Sequence, residues 1–160
     1  MTSGPAASDP RELTLADFPV QRPVTTRWSD NDMYGHLNNA VYYELFDSAL
    51  NGWQAEHLAI DPLVDTTQGV VKESGCTFFA EVAFPAPLVV GLRVVRLDRS
   101  SVTYQLGLFV DPEHGARADP ALKALGHWVH VEIDATTRRP TPLPDRLRAL
   151  LTTAVVQGSS

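Results

Sequence analysis

The chain has 160 residues, enough for one hydrophobic core and too short for two. Its 44% hydrophobic and 20% charged residues exclude a disordered or collagen-like polymer. Thirteen Lys plus Arg against 19 Asp plus Glu give a formal charge of -6, so the molecular field repels a phosphate backbone and nucleic acid is not an expected partner.

Residues Met1 to about Pro10 hold Ser, Gly, Pro and Ala with almost no large apolar side chain, too little to offset the entropy of ordering, and residues 1–17 read as a flexible N-terminal segment. From Val20 to Trp28 the apolar residues Val20, Val24 and Trp28 fall at even spacing, which predicts a strand, and Pro23 places it at a sheet edge. A polar loop follows from Ser29 to Asn39, holding Asp30, Asn31, Asp32, Gly35, His36, Asn38 and Asn39. The repeat Tyr42, Leu45, Phe46, Ala49, Trp53, widened by Val41, Tyr43 and Leu50, predicts a helix with a broad apolar face. Asn38 or Asn39 can cap it by accepting a hydrogen bond from an amide one turn inside.

After the helix the period changes to two. Strands are predicted over Cys76–Phe84, Leu88–Val94, Val102–Val110 and His127–Ile133, separated by turn-forming stretches such as Phe84-Pro85-Ala86-Pro87 and Asp98-Arg99-Ser100-Ser101. Consecutive strands joined by short loops should pair antiparallel. A short helix is predicted from Asp145 to Val155, and residues 156–160 read as a flexible tail. One sheet and one broad-faced helix bury both apolar surfaces only if the sheet curls around the helix. The expected architecture is therefore α+β, a curved antiparallel sheet wrapped around a long central helix, forming one domain over residues 18–155.

The single cysteine, Cys76, admits no intramolecular disulfide, and no Cys/His spacing fits a structural zinc site. No N-terminal basic stretch leads into an apolar one, and no apolar run approaches the roughly 20 residues that span a bilayer. A cytoplasmic protein with no membrane partner is the expectation.

The run Arg27-Trp28-Ser29-Asp30-Asn31-Asp32-Met33-Tyr34-Gly35-His36-Leu37-Asn38-Asn39-Ala40-Val41-Tyr42 resembles the signature of the hot-dog-fold acyl-CoA thioesterases, in particular the 4-hydroxybenzoyl-CoA thioesterase-like group. Further similarity lies in Phe84-Pro85, Leu88–Gly91, Arg99-Ser100-Ser101-Val102 and the ending Asp134–Pro144, so the resemblance covers about Phe18 to Leu151. It implies a hot-dog fold and a homodimer whose sheets join edge to edge, with two active sites at the interface and, in many members, pairing of dimers into tetramers. It also implies that Asp32 is the catalytic carboxylate and that the Asn39 backbone amide helps bind the thioester carbonyl oxygen. Where the family usually has Asp after the Phe-Pro turn, this chain has Ala86, a departure at a turn position.

The residues themselves agree with that chemistry. Thioester hydrolysis needs a carboxylate that attacks the carbonyl or deprotonates water, and donors placed where negative charge develops on oxygen. A loop carboxylate beside a helix N-terminus supplies both. Gly-x-Ser-x-Gly is absent and Cys76 falls in an apolar strand, so no Ser or Cys nucleophile is evident. No metal and no cofactor is expected. Asp32 and Asn39 are the expected catalytic residues; His36, Asn38, Tyr42 and Glu73 are the expected substrate-binding residues, with Glu73 at the lead-in to the second strand. Glu44 and Asp47 on the helix are the reserve acids, and Arg93, Arg96, Arg99, Arg138 and Arg139 are the pool from which coenzyme A phosphates would be met. Two other functions stay open at this level: a non-hydrolytic acyl-CoA binding or regulatory module, and a hot-dog dehydratase or hydratase using His36.

Overall fold

A computed structural model describes residues 8–115 and 119–157. Five strands form one antiparallel sheet: β1 (Val20–Val24), β2 (Thr67–Phe78), β3 (Leu88–Leu97), β4 (Ser101–Val110) and β5 (Ala124–Asp134). Their spatial order is β1-β3-β4-β5-β2. Helix α1 (Asn39–His57) crosses the concave face and the short α2 (Asp145–Thr152) packs near the end of the chain. This is the α+β hot-dog arrangement.

Helix α1 forms where the apolar stripe predicted it, and Tyr42, Leu45, Phe46, Ala49, Leu50 and Trp53 are its buried residues. They meet the alternate residues of the sheet that face inward, including Val90, Leu92, Val102, Tyr104, Leu106, Leu108 and Trp128. The helix approaches closely at Gly126, where an added Cβ would lie 2.7 Å from Trp128 Cζ3 and 2.9 Å from the Phe46 ring. Glycine there is a packing requirement. Pro23 does sit in an edge strand, paired with Val89 of β3, where its missing N–H breaks no second ladder.

Two expectations are corrected. Consecutive strands pair at β3–β4 and β4–β5, but β2 crosses to pair with β5 and not with β3. The second strand also begins at Thr67 and ends at Phe78, and does not run from Cys76 to Phe84. Beyond Phe78 the backbone leaves the ladder, with Phe79 and Ala80 both donating to the Lys123 carbonyl. The alternation of Val82 and Phe84 continues, yet their backbone groups bond the polar loop: Leu37 donates to the Val82 carbonyl at 2.8 Å and Phe84 donates to Asn31 Oδ1 at 3.1 Å.

On the convex face Phe18, Val89, Phe109 and Leu122 form a second apolar cluster. Residues 1–7 of the expected lead-in lie outside the described residues. Residues Pro10–Glu12 and Leu15–Asp17 form two short 3-10 turns, and Leu13 and Leu15 pack on the convex cluster. At the other end the backbone after α2 returns to β3, where Val94 donates to Ala154 and accepts from Val156. Residues 158–160 of the expected tail lie outside the described residues.

Candidate active site

The polar loop is built by its own short side chains. Asp30 is buried, and its Oδ2 accepts the Arg27 N–H at 2.7 Å while Oδ1 accepts from Arg27 Nη2 at 3.0 Å. The Arg27 backbone N–H, more than its guanidinium, holds the Asp30 carboxyl below the usual carboxylate range. The Asp30 carbonyl takes the Asn38 N–H at 2.9 Å. One residue thus ties the entry of the loop to the start of α1.

Within that frame Asp32 heads a tight turn. Its N–H donates to the His36 carbonyl at 2.8 Å, its carbonyl accepts from Gly35 at 3.1 Å, and its Oδ1 accepts the Tyr34 N–H at 2.8 Å. Gly35 takes φ +81, a left-handed conformation that glycine adopts without steric cost. The Asn38 side chain caps α1 by accepting the Ala40 N–H at 3.0 Å. Asn39 is the first residue of the helix, and its N–H has no acceptor inside the helix.

These groups surround a cleft of about 420 Å³. Asp32, His36, Asn39 and Tyr42 line it from the loop and helix, and Phe78, Phe79, Ala80 and Glu81 line it from the end of β2 and the segment beyond. Tyr42 stands edge-on to Phe78 with ring centroids 4.9 Å apart, and burial pushes its phenol above the ordinary value. It stays a neutral O–H donor. His36 Nε2 lies 3.2 Å from Glu81 Oε2.

Of the six residues singled out from sequence, the cleft gathers Asp32, His36, Asn39 and Tyr42. Asn38 is spent as the helix cap. Glu73 lies inside β2 opposite Val129 and not ahead of the strand, and its carboxylate is 3.2 Å from His127 Nε2. The strand's alternation turns it away from the concave face. The reserve acids also stay out of the cleft, since Glu44 stands in solvent near Arg27 and Asp47 accepts the Trp128 Nε1–H at 3.0 Å. Arg93, Arg96 and Arg138 bond Gln105, Asp98 and Gln68. Cys76 is half-buried with its thiol pushed up to about 11 by burial, which keeps it protonated and a poor nucleophile.

Sequence reasoning missed Glu81 and the Phe78–Phe79 wall. The available signal was the pair of aromatics ahead of an acidic residue, which the strand alternation absorbed. The arrangement offers a carboxylate, a helix-start amide free of the helical ladder and a neutral phenol around one opening, the set that acyl transfer to water requires.

Comparison with known proteins agrees with this fold. The family model described as the thioesterase-like superfamily matches residues 26–151. The PA5185 protein from Pseudomonas aeruginosa is 38% identical over 90% of this chain and 96% of its own, with a TM-score of 0.82. The PA2801 protein from Pseudomonas aeruginosa is 32% identical over 82% of this chain and 97% of its own, with a TM-score of 0.71. A thioesterase from Thermus thermophilus, complexed with coenzyme A and Zn, is 28% identical over 85% and 96% of the two chains, with a TM-score of 0.66. No curated protein matches the sequence. Among the described residues no helix is long and apolar enough to cross a membrane. Motif, fold and family model together place the chain in the thioesterase-like superfamily, as a thioester hydrolase of the hot-dog fold.

Proposed function

We propose that the protein hydrolyses an acyl-CoA thioester to the free acid and coenzyme A, with Asp32 as general base or nucleophile and the Asn39 amide as oxyanion donor. The observation that carries this reading is the convergence of Asp32 and the start of α1 on one cleft. Because Oδ1 is held by the Tyr34 N–H, Oδ2 is the oxygen available for chemistry. As a base it takes a proton from water, whose oxygen adds to the thioester carbon. As a nucleophile it adds directly, giving an anhydride that water then opens. In both routes the carbonyl oxygen becomes an oxyanion, the C–S bond breaks as it collapses, and the sulfur leaves as thiolate to take up a proton.

The Asn39 N–H and the positive end of α1 face that developing charge. A preorganised donor of this kind contributes on the order of 10²–10³ in rate. Tyr42 and His36 line the same cleft and are the side chains that would meet the substrate there. Asn38 acts through the cap that holds Asn39 in place.

We also infer a homodimer joined through β2, an outer strand of the sheet whose Val71 and Phe78 are exposed. An unpaired edge of this length invites a second strand. Pairing there would cover the Phe78 end of the cleft with the second copy, and dimers of dimers are the higher assembly consistent with the family.

The test is thiol release with a chromogenic thiol reagent across short, medium, long and aromatic acyl-CoAs, with binding to each measured in parallel. Turnover on at least one class supports hydrolysis. Tight binding with no thiol release on any class overturns it in favour of a binding module.

A further inference from the structure

At the opposite end of α1 lies a second cavity, of about 550 Å³. Asn39 borders the first cleft and Asn51 borders this cavity; between them the helix rises roughly 18 Å, so the two openings are distinct. Leu58, Ile60 and Leu147 provide apolar wall, while Tyr104, His130 and Glu132 come from the concave face of the sheet.

That floor is polar where a packed core would be apolar. His130 Nε2 is buried and has no hydrogen-bond partner among the described residues. Its ring packs edge-on to Tyr104 at 5.2 Å between centroids, and the Tyr104 hydroxyl accepts from Gln54 Nε2 at 2.9 Å. Glu132 is only 5% exposed, and its carboxyl meets the Thr67 hydroxyl. Two residues apart on one strand, the His130 and Glu132 side chains leave the same face roughly 6–7 Å from each other. Native proteins satisfy nearly all buried polar atoms, so an unpartnered nitrogen beside a buried carboxyl in a cavity points to an occupant.

The chemistry of the floor selects that occupant. Burial lowers the His130 pKa and raises that of Glu132, and a floor this enclosed disfavours a net charge on whatever occupies it. The charged lining residues Asp65 and Arg146 have opposite signs and favour neither an anion nor a cation. A neutral head that both donates and accepts matches the span, since a primary amide separates its oxygen and nitrogen enough to bridge the two side chains.

We propose that this cavity is a second binding site, for an uncharged molecule with an apolar body and an amide-like head held between His130 Nε2 and the Glu132 carboxyl. The head donates to Glu132 and completes the hydrogen bonding of His130, and the apolar body lies along Leu58, Ile60 and Leu147. The site is independent of the thioesterase reading, because its ligand need not be a thioester.

The experiment uses the full chain and three probes of equal length: hexanamide, hexanoate and hexylammonium. Calorimetry should show saturable binding of hexanamide and at least about tenfold weaker binding of the two ions, a difference of about 1.4 kcal/mol. His130→Phe and Glu132→Leu should each weaken hexanamide about tenfold while thioester hydrolysis is unchanged. In the wild-type protein, hexanamide should shift the His130 Nε2 resonance in ¹⁵N-resolved NMR, a readout that does not depend on either variant folding. Equal binding of all three probes, retention of hexanamide affinity in both variants, or an unmoved His130 resonance at saturating hexanamide would each overturn the proposal, the last leaving the cavity as a water-filled void.

Discussion

Removing the Asp30 carboxylate by Asp30→Ala tests how the polar loop is held. The side chain is buried and accepts the Arg27 N–H at 2.7 Å and the Arg27 Nη2 at 3.0 Å. A charge-assisted bond to a backbone amide is worth roughly 1.5–3 kcal/mol. The ion pair adds less than about 1 kcal/mol because the Arg27 side chain stands in solvent. The expected cost at pH 7 is therefore about 2–3 kcal/mol, which for a chain of this size is a fall in Tm of roughly 5–10 °C. Urea titrations of both proteins across pH supply the second half of the test. The folded carboxyl sits below its unfolded value of about 3.9, so its contribution is complete above that value and is lost as pH falls through the folded one. The gap between wild type and variant should narrow on acidification below about pH 4. A difference under about 0.5 kcal/mol at pH 7, or a gap that does not change with pH, would refute the reasoning.

Three further outcomes are expected. Asn38→Ala removes the cap on Ala40 and should cost about 1 kcal/mol, with a drop in kcat larger than the change in KM because the Asn39 amide loses its fixed position; a variant with wild-type kcat would contradict this. Gly126→Ala places a Cβ against Trp128 and Phe46, both fully enclosed, and chemical denaturation should report a loss of about 1–3 kcal/mol or more. Val71→Asp puts a charge at an exposed position of β2 and should convert a dimer to monomer in sedimentation velocity; an unchanged species would mean that β2 is not the joining edge.

The central helix, four of the five strands and the polar loop were legible because each carries a strong local signal. Tyr42, Leu45, Phe46, Ala49 and Trp53 mark one helical face, and all are buried. Leu106 and Leu108 alternate in a strand enclosed on its inner face. β2 was misplaced because an outer strand buries little: Thr67 to Ser74 contains no long apolar alternation, and its pairing with β5 comes from backbone groups that any sequence possesses. The Val82–Phe84 stretch imitates a strand, but its partners are Leu37 and Asn31, contacts set by the folded loop. Glu81 reaches His36 only through that docking, so its place in the cleft follows from tertiary structure. The position of Glu73 shifts for the same reason as β2, since its facing depends on where the strand begins.

The most direct test of the account is the single-turnover rate of acyl-CoA hydrolysis by Asp32→Asn, with acyl-CoA affinity measured on the same protein. The substitution keeps the side chain's shape and an oxygen for the Tyr34 N–H while removing the base or nucleophile. The account predicts a fall in rate of at least about 10²-fold with affinity unchanged within about twofold. Hydrolysis at the wild-type rate would show that the carboxylate only shapes its turn and that the reaction is carried by another group.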